Sequence, residues 1–144
     1  VVVLPMVAVV DKFQHWIYEN PNSSMKELAE KFRQIHNRFT GKYIDYTGLE
    51  KQQALDWHRI LHIFQVPFYY IEYGIAQIGA LQMWLKAKAD MNDAVRCYRR
   101  ALSLGGSKPL PQLFEAAGIK FDMSAETIEP LVNAVAAELE ELEG

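Results

Sequence analysis

Two histidines, His58 and His62, stand four residues apart in the stretch HRILH. On a helix this spacing places both imidazoles on one face, as in the HExxH zinc helix, where a glutamate after the first histidine acts as general base. Arg59 occupies the position of that glutamate, and no third ligand follows nearby. Three interpretations are open: a disabled metal site, an ordinary pair of histidines, or part of an active site whose metal lies elsewhere.

Three tyrosines, Tyr69, Tyr70 and Tyr73, follow His62 across Pro67. The spacing of three between Tyr70 and Tyr73 predicts that both hydroxyls project from one face of a helix. Phenols with ordinary pKa values near ~10 stay protonated at neutral pH and can donate hydrogen bonds to a developing negative charge. With a histidine beside them, these are the residue types of an oxyanion-stabilising cluster. Alternatively, the tyrosines fill a half-buried seam with their hydroxyls in water.

The elements that would position these residues are helical nearly throughout. Ser24 followed by Glu27 is a capping box, and Pro67 is expected to open the helix that carries the tyrosines. No stretch alternates long enough to predict a strand. We therefore predict an all-α fold, with one helical unit over residues 1–144 and no internal boundary. The predicted helices cover residues 5–18, the Ser24 cap to near Gly41, 50–64, 68–89, 92–104, a short segment ending at Gly118 and a last segment after Ser124.

Composition narrows the class of protein. Half of the 144 residues are apolar and 23% are charged, which predicts a globular domain. Fifteen Lys and Arg against 18 Asp and Glu leave a net charge of -3, without a basic block, so we expect no nucleic-acid partner. Cys97 is the single cysteine, which predicts no disulfides and a cytoplasmic location.

The first ten residues, VVVLPMVAVV, are apolar but lack the basic region and cleavage site of a secretory signal. They are also too short to cross a bilayer, so no membrane partner is expected. Because the chain starts with Val1 inside an apolar element, we expect it to be a fragment of a longer protein.

Three stretches carry a resemblance to a known family: VDKFQHWIYENP at 10–21, HIFQVPFYYIEYGIAQIGALQ at 62–82 and RALSLGGSKPLPQLFEAAGIKFD at 100–122. They resemble the C-terminal part of the oligoendopeptidase F enzymes, in the thimet-oligopeptidase family of zinc metallopeptidases. The resemblance implies an all-helical, gluzincin-type catalytic domain. It also implies that the zinc ligands and the catalytic glutamate lie upstream, so that this fragment binds no metal and is inactive alone.

The resemblance further implies roles for individual residues. His62, Tyr70 and Tyr73 match the histidine and tyrosines that bind the substrate carbonyl and stabilise the tetrahedral intermediate, and Tyr69 is a candidate substrate-binding residue. Thimet-type members have a glycine-rich loop between these groups, whereas this chain has IFQVPF, and Tyr69 is the alternative to Tyr70 in the tyrosine pair.

These observations lead to one functional hypothesis and one alternative. The chain is predicted to be part of a zinc metalloendopeptidase that hydrolyses oligopeptides, with the upstream part of the same catalytic domain as its partner. The alternative is a non-catalytic helical module that binds peptides or a partner helix.

Overall fold

The computed structural model describes residues 3–41 and 43–143, and all regular secondary structure in these residues is helical, which confirms the all-α prediction. Val1 and Val2, part of the apolar opening, lie outside the described residues. The helices are α1 (Val3–Glu19), α2 (Met25–Thr40), α3 (Glu50–Leu55), α4 (His62–Gln65), α5 (Ile71–Ala89), α6 (Met91–Leu104), α7 (Leu110–Ala116) and α8 (Ala125–Glu143), with a 3-10 segment at Asp56–Arg59. Among the described helices, none is both long and apolar enough to cross a membrane.

The chain divides into two compact units, Val1–Gly74 and Ile75–Gly144. We refer to them as unit 1 and unit 2. The division falls within α5, which runs through it as one helix. A single helical unit over residues 1–144 remains a prediction.

Unit 1 is built around α1 and α2. Ser24 caps α2 as predicted: its side chain accepts a hydrogen bond from the Glu27 backbone N–H, while the Glu27 carboxylate accepts from the Ser24 backbone N–H. Phe13 of α1 and Phe32 of α2 are fully buried and meet edge to face, with ring centroids 5.1 Å apart. Burial of such rings provides most of the stabilisation available to a small helical core.

A buried polar network joins α2 to α3. Nδ1 of His36, a residue only 2% exposed, lies 2.7 Å from Thr40 Oγ1 and 3.1 Å from Gln53 Nε2. The Gln53 amide also donates to Asn37 Oδ1 at 2.5 Å. Both neighbours of Nδ1 can donate, which suits a neutral imidazole, and burial lowers the pKa of His36 below its usual value.

The predicted helix over residues 50–64 is wrong as a continuous element. It breaks into α3, the 3-10 segment and α4, with turns at Ile60 and Leu61. Trp57, Ile60 and Ile63 are all buried in the unit 1 core. At about 100° per residue, a straight helix would point Trp57 and Ile63 about 120° apart, so the break lets both reach the core.

The expectation that Pro67 opens the next helix is also wrong. Pro67 lies in a turn in which the Tyr69 backbone N–H donates to the Val66 carbonyl, 3.1 Å away, and α5 begins only at Ile71. Tyr70 therefore precedes the helix that carries Tyr73.

Unit 2 contains the rest of α5 with α6, α7 and α8. The helix predicted over residues 92–104 ends at its C-cap Gly105, which has a φ of 52°, and Gly118, with a φ of 70°, follows the short α7. Gly79 of α5 allows close approach of α7, because a Cβ there would lie 3.0 Å from the Phe114 ring. Between α5, α6 and α7 runs an open apolar groove of about 740 Å³, which we call the unit 2 groove. Its walls include Ala80, Met83, Trp84, Val95, Leu102 and Leu113.

Candidate functional site

The four predicted site residues come together on unit 1. His62 Nε2 lies 3.1 Å from the Tyr73 hydroxyl, a hydrogen-bond distance. The His62 ring meets Tyr70 edge to face at 5.1 Å and stacks nearly parallel to Tyr69 at 6.1 Å. Tyr73 in turn contacts the rings of Tyr69 and Tyr70 at 5.8 and 5.2 Å. We call these four residues the His–Tyr cluster.

The cluster forms without the arrangement expected from the sequence. Tyr70 and Tyr73 were predicted on one helical face, but Tyr70 stands before α5 and its ring reaches Tyr73 at an angle of 69°. His62 reaches the same place from α4, a separate single turn of helix. Residues from three successive local structures thus converge because the chain reverses at Pro67.

The core fixes α4, which holds His62. Ile63, next to His62, is buried, as is Ile60 just before the helix. The Ile63 backbone N–H donates to the Ile60 carbonyl at 3.0 Å. Because Ile63 faces the core, its neighbour His62 lies on the outer side, where it is only partly buried.

An unusual backbone position sets the turn before the tyrosines. Phe68 has a φ of 62°, a left-handed conformation that costs a non-glycine residue roughly 1–2 kcal/mol. Proline followed by a residue with positive φ is typical of a type II turn. The centroid of the Phe68 ring lies 5.0 Å from that of the His15 ring and 4.9 Å from that of the Tyr18 ring, both on α1. These contacts hold the strained residue in place.

The exposure of the cluster suits binding rather than core packing. Tyr69 and Tyr73 are 48% and 42% exposed, while Tyr70 is half-buried and packs against the unit 1 core. The phenol groups and the imidazole supply hydrogen-bond donors at the surface. An arrangement of this kind can bind a carbonyl oxygen and the negative charge that develops on it during acyl transfer.

The HRILH stretch has no helical face shared by its two histidines. His58 lies in the 3-10 segment and is exposed, whereas His62 begins α4 beyond the turn. Arg59 is held by Asp56, with Nε and Nη2 donating to the carboxylate at 2.5 and 2.8 Å. This pairing raises the pKa of Arg59 further above its usual range. Within residues 3–41 and 43–143, no three or more His, Cys, Asp or Glu side chains form a group that could hold a metal ion.

The unusual surroundings of three unit 1 residues, Phe68, Gln14 and Trp57, were not identified from the sequence. Phe68 was treated as an ordinary helical residue, and its strained turn became visible only in three dimensions. Gln14 and Trp57 are buried polar groups, and neither has a hydrogen-bond partner for its side-chain N or O atoms in the part of the chain that the structure describes. The one sequence signal for Gln14 is a polar residue directly after the buried Phe13.

The chain is similar to known peptidases along nearly its whole length. The family model described as "Peptidase family M3" matches residues 3–132. An oligoendopeptidase F homolog from Borreliella burgdorferi is 30% identical over 139 residues, which are 95% of this chain but 22% of that protein.

Two solved structures share the fold. PZ peptidase A, solved with an inhibitor, superposes with a TM-score of 0.87 at 32% identity, and a putative oligoendopeptidase F gives 0.80 at 34%. Each match covers 96% of this chain and 25% of the other, so the chain spans about a quarter or less of the length of these relatives. The resemblance expected from the three quoted stretches is confirmed: the chain belongs to peptidase family M3.

Proposed function

We propose that this chain is the C-terminal part of the catalytic domain of a zinc metalloendopeptidase that hydrolyses oligopeptides. The observation that carries the proposal is the His–Tyr cluster, in which a histidine and three tyrosines of one short segment share a partly exposed surface. Membership of family M3 and the peptidase names of the similar proteins support the reaction class.

In this proposal His62, Tyr70 and Tyr73 are catalytic residues that bind the carbonyl oxygen of the scissile peptide bond. In the chain without substrate, a proton on Nε2 of His62 is donated to the Tyr73 hydroxyl oxygen 3.1 Å away, and a bound substrate oxygen takes over this donor. The hydroxyl hydrogen of Tyr73 is then free to donate to the substrate oxygen. Such donors act most strongly when negative charge develops on that oxygen, which lowers the barrier of the chemical step.

Tyr69 has a different proposed role, in substrate binding. Its ring stacks on His62 and is nearly half exposed. An exposed aromatic ring beside the donors offers an apolar surface to a substrate side chain and leaves its hydroxyl in water.

The described residues do not fit a zinc site, since His58 and His62 do not share a helix and no larger group of ligands is present among them. We therefore assign the zinc of the proposed parent to residues outside this chain. The partner of the chain is then the upstream part of the same catalytic domain, and the chain alone is expected to be inactive. The lack of any cysteine besides Cys97 supports a cytoplasmic location.

The test is a pair of substitutions in the longer parent enzyme. Tyr73→Phe or His62→Ala should lower kcat for a fluorogenic oligopeptide about 10²- to 10³-fold with little change in KM, as loss of one oxyanion donor does. Tyr43→Phe, at a residue 85% exposed, and His58→Ala are the matched controls and should retain full turnover.

Near-normal turnover in both Tyr73→Phe and His62→Ala would remove the cluster from the mechanism. A parent that binds oligopeptides but cleaves none would instead favour the non-catalytic binding module. An upstream reading frame without an HExxH sequence would point the same way.

A further inference from the structure

A second cavity on unit 1 lies outside the His–Tyr cluster. It has a volume of about 260 Å³, and its lining combines residues of α1, α2, the 3-10 segment and α4. The cavity is lined by Gln14, Ile17, Tyr18, Leu28, Trp57, Ile63 and Phe64. It is far larger than the roughly 10–15 Å³ that holds one water, and slightly smaller than the pockets of about 300–1,000 Å³ that take drug-sized ligands. Its size therefore suits a small organic group.

Two of the lining residues carry buried polar atoms without a partner. Gln14 is 1% exposed, and neither its Oε1 nor its Nε2 makes a hydrogen bond to any residue that the structure describes. Trp57 is 4% exposed, and its indole Nε1–H is likewise without a partner in residues 3–41 and 43–143. Buried polar groups are normally paired, because leaving one unpaired costs free energy. Two such groups at one cavity point to a ligand.

The inventory of hydrogen-bonding groups defines the ligand. The Gln14 amide offers one acceptor and two N–H donors, Trp57 adds a third donor, and the hydroxyl of the exposed Tyr18 can donate or accept. Among the residues that the structure describes, no Lys, Arg, Asp, Glu or His lines the cavity, so a charged ligand would lose its hydration without gaining an opposite charge. A neutral group with a carbonyl oxygen and an N–H matches both sides of the Gln14 amide. A peptide group has this pair.

The apolar walls specify what accompanies the peptide group. Ile17, Leu28 and Ile63 line the cavity, and Phe64 stacks on the Trp57 ring with centroids 5.6 Å apart. Phe64 is 55% exposed, so it stands at the outer edge of this wall. Such walls favour an aliphatic side chain next to the bound peptide group.

We propose that the Gln14–Trp57 cavity binds a main-chain peptide group flanked by an aliphatic side chain, with Trp57 Nε1 and the Gln14 amide as its hydrogen-bond partners. The site goes beyond the proposed carbonyl-binding cluster and does not depend on it. The peptide group can come from a free peptide or from the main chain of the longer parent protein, and the two sources are separated by experiment.

The first test uses nuclear magnetic resonance of the ¹⁵N-labelled chain with acetyl-leucine N-methylamide as the probe. Trp57 is one of three tryptophans, and its indole signal is assigned by its loss in Trp57→Phe. The probe should move the Trp57 indole and Gln14 side-chain signals in a saturable way, whereas sodium acetate at equal concentration should not. Gln14→Met should weaken probe binding at least tenfold, while Trp84→Phe, at a residue that lines the unit 2 groove, should leave it unchanged. No movement of either signal, or equal binding by Gln14→Met, would overturn the proposal.

A second measurement guards against misfolded variants and against a cavity filled only by water. If the Gln14 amide has no partner in the free chain, Gln14→Met should leave the melting temperature unchanged or raise it, since methionine fills similar volume without a polar group. A lower melting temperature would mean that the amide is already paired inside the folded chain, and would overturn the proposal.

The source of the peptide group is identified by recording the Trp57 indole signal in the longer parent enzyme, labelled at tryptophan. If the parent's own main chain occupies the cavity, the Trp57 indole signal will already lie at its hydrogen-bonded position and will not respond to the probe. If the cavity takes free peptide, the signal will start at the position seen in the 144-residue chain and move on addition of the probe. A signal at the free position that ignores the probe contradicts both sources.

Discussion

The two units bury very different side chains. In unit 1, Phe13 and Phe32 are fully buried together with Val9 and Val10. In unit 2, the two least exposed residues of its core are Ala94 and Leu131, at 3% and 4%, and small residues are prominent among the others. Unit 1 thus has a closed core of interlocking rings, whereas unit 2 leaves much of its apolar surface along an open groove of about 740 Å³.

The difference between the two cores explains why unit 1 can hold the side chains of the His–Tyr cluster in a fixed arrangement. The closed core supports the His–Tyr cluster, because Ile63, next to His62, is buried in this core and Tyr70, a half-buried member of the cluster, packs against it. A rigid core allows a turn as strained as Phe68 to persist, because the surrounding contacts determine its geometry. The apolar groove of unit 2 lacks such an enclosure. We expect the two units to respond differently to substitutions and to acid.

The largest difference should come from truncating an aromatic ring. Phe13→Ala in unit 1 should lower the free energy of unfolding by about 3–5 kcal/mol, because it leaves a cavity in a packed core. Phe114→Ala in unit 2 removes a half-buried ring beside the groove and should cost roughly half of the about 1.5–3 kcal/mol that full burial provides. Urea unfolding followed by circular dichroism measures both. Equal losses would contradict the contrast between the cores.

A smaller difference should come from adding volume. Val10→Phe places a larger ring where the side chain is fully buried, and overpacking should cost about 1–3 kcal/mol. Ala80→Leu extends an exposed residue into the unit 2 groove and should stay within about 0.5 kcal/mol of the original chain. The same urea titration provides the comparison. A large penalty for Ala80→Leu would mean that the groove is effectively closed.

The smallest difference concerns pH. In unit 1, the pKa of buried His36 lies below 6.5 because burial disfavours its charged form. The unfolded chain then binds the proton more tightly than the folded chain. The contribution of His36 to the free energy of unfolding is therefore fully present above pH 6.5 and decreases as the pH drops from 6.5 toward the pKa of the folded state. In unit 2, hydrogen bonds from Ser124 and Thr127 lower the pKa of Asp122 from 3.8 to about 2. Its contribution is present above pH 3.8 and is lost as the pH falls from 3.8 to about 2.

Acidification should therefore weaken unit 1 before unit 2. Hydrogen exchange at pH 7, 5.5 and 3, corrected for intrinsic rates, should show loss of protection in α2 and α3 already at pH 5.5, and in α8 only at pH 3. His36→Gln should remove the change between pH 7 and 5.5, while His58→Gln, at an exposed histidine, should retain it. Earlier loss in α8 would reverse the expected order.

Local signals in the sequence were sufficient for much of the helical framework. The Ser24–Glu27 capping box marks the start of α2, and the glycines at 105 and 118 mark helix ends, because caps depend on residues within one turn. The four members of the His–Tyr cluster could also be selected from the sequence, since His62 and the tyrosines lie within twelve residues. Their catalytic roles remain a proposal.

Other features depended on contacts between distant residues. The helix predicted over residues 50–64 breaks because Trp57, Ile60 and Ile63 all enter one core, and local periodicity carries no information about that competition. Pro67 is compatible both with a helix start and with a tight turn, and the packing of Phe68 on α1 accompanies the turn.

The sequence by itself determined which segments are helical, where most of them begin and end, and which residue types could bind a carbonyl oxygen. Three features were decided only by the tertiary structure. His58 and His62 lie in different helical segments, Tyr70 contacts Tyr73 from outside the helix that carries Tyr73, and Gln14 and Trp57 line one cavity. The physical reason is range: caps and periodicity act over a few residues, whereas burial couples residues that lie more than 40 positions apart, as Gln14 and Trp57 do.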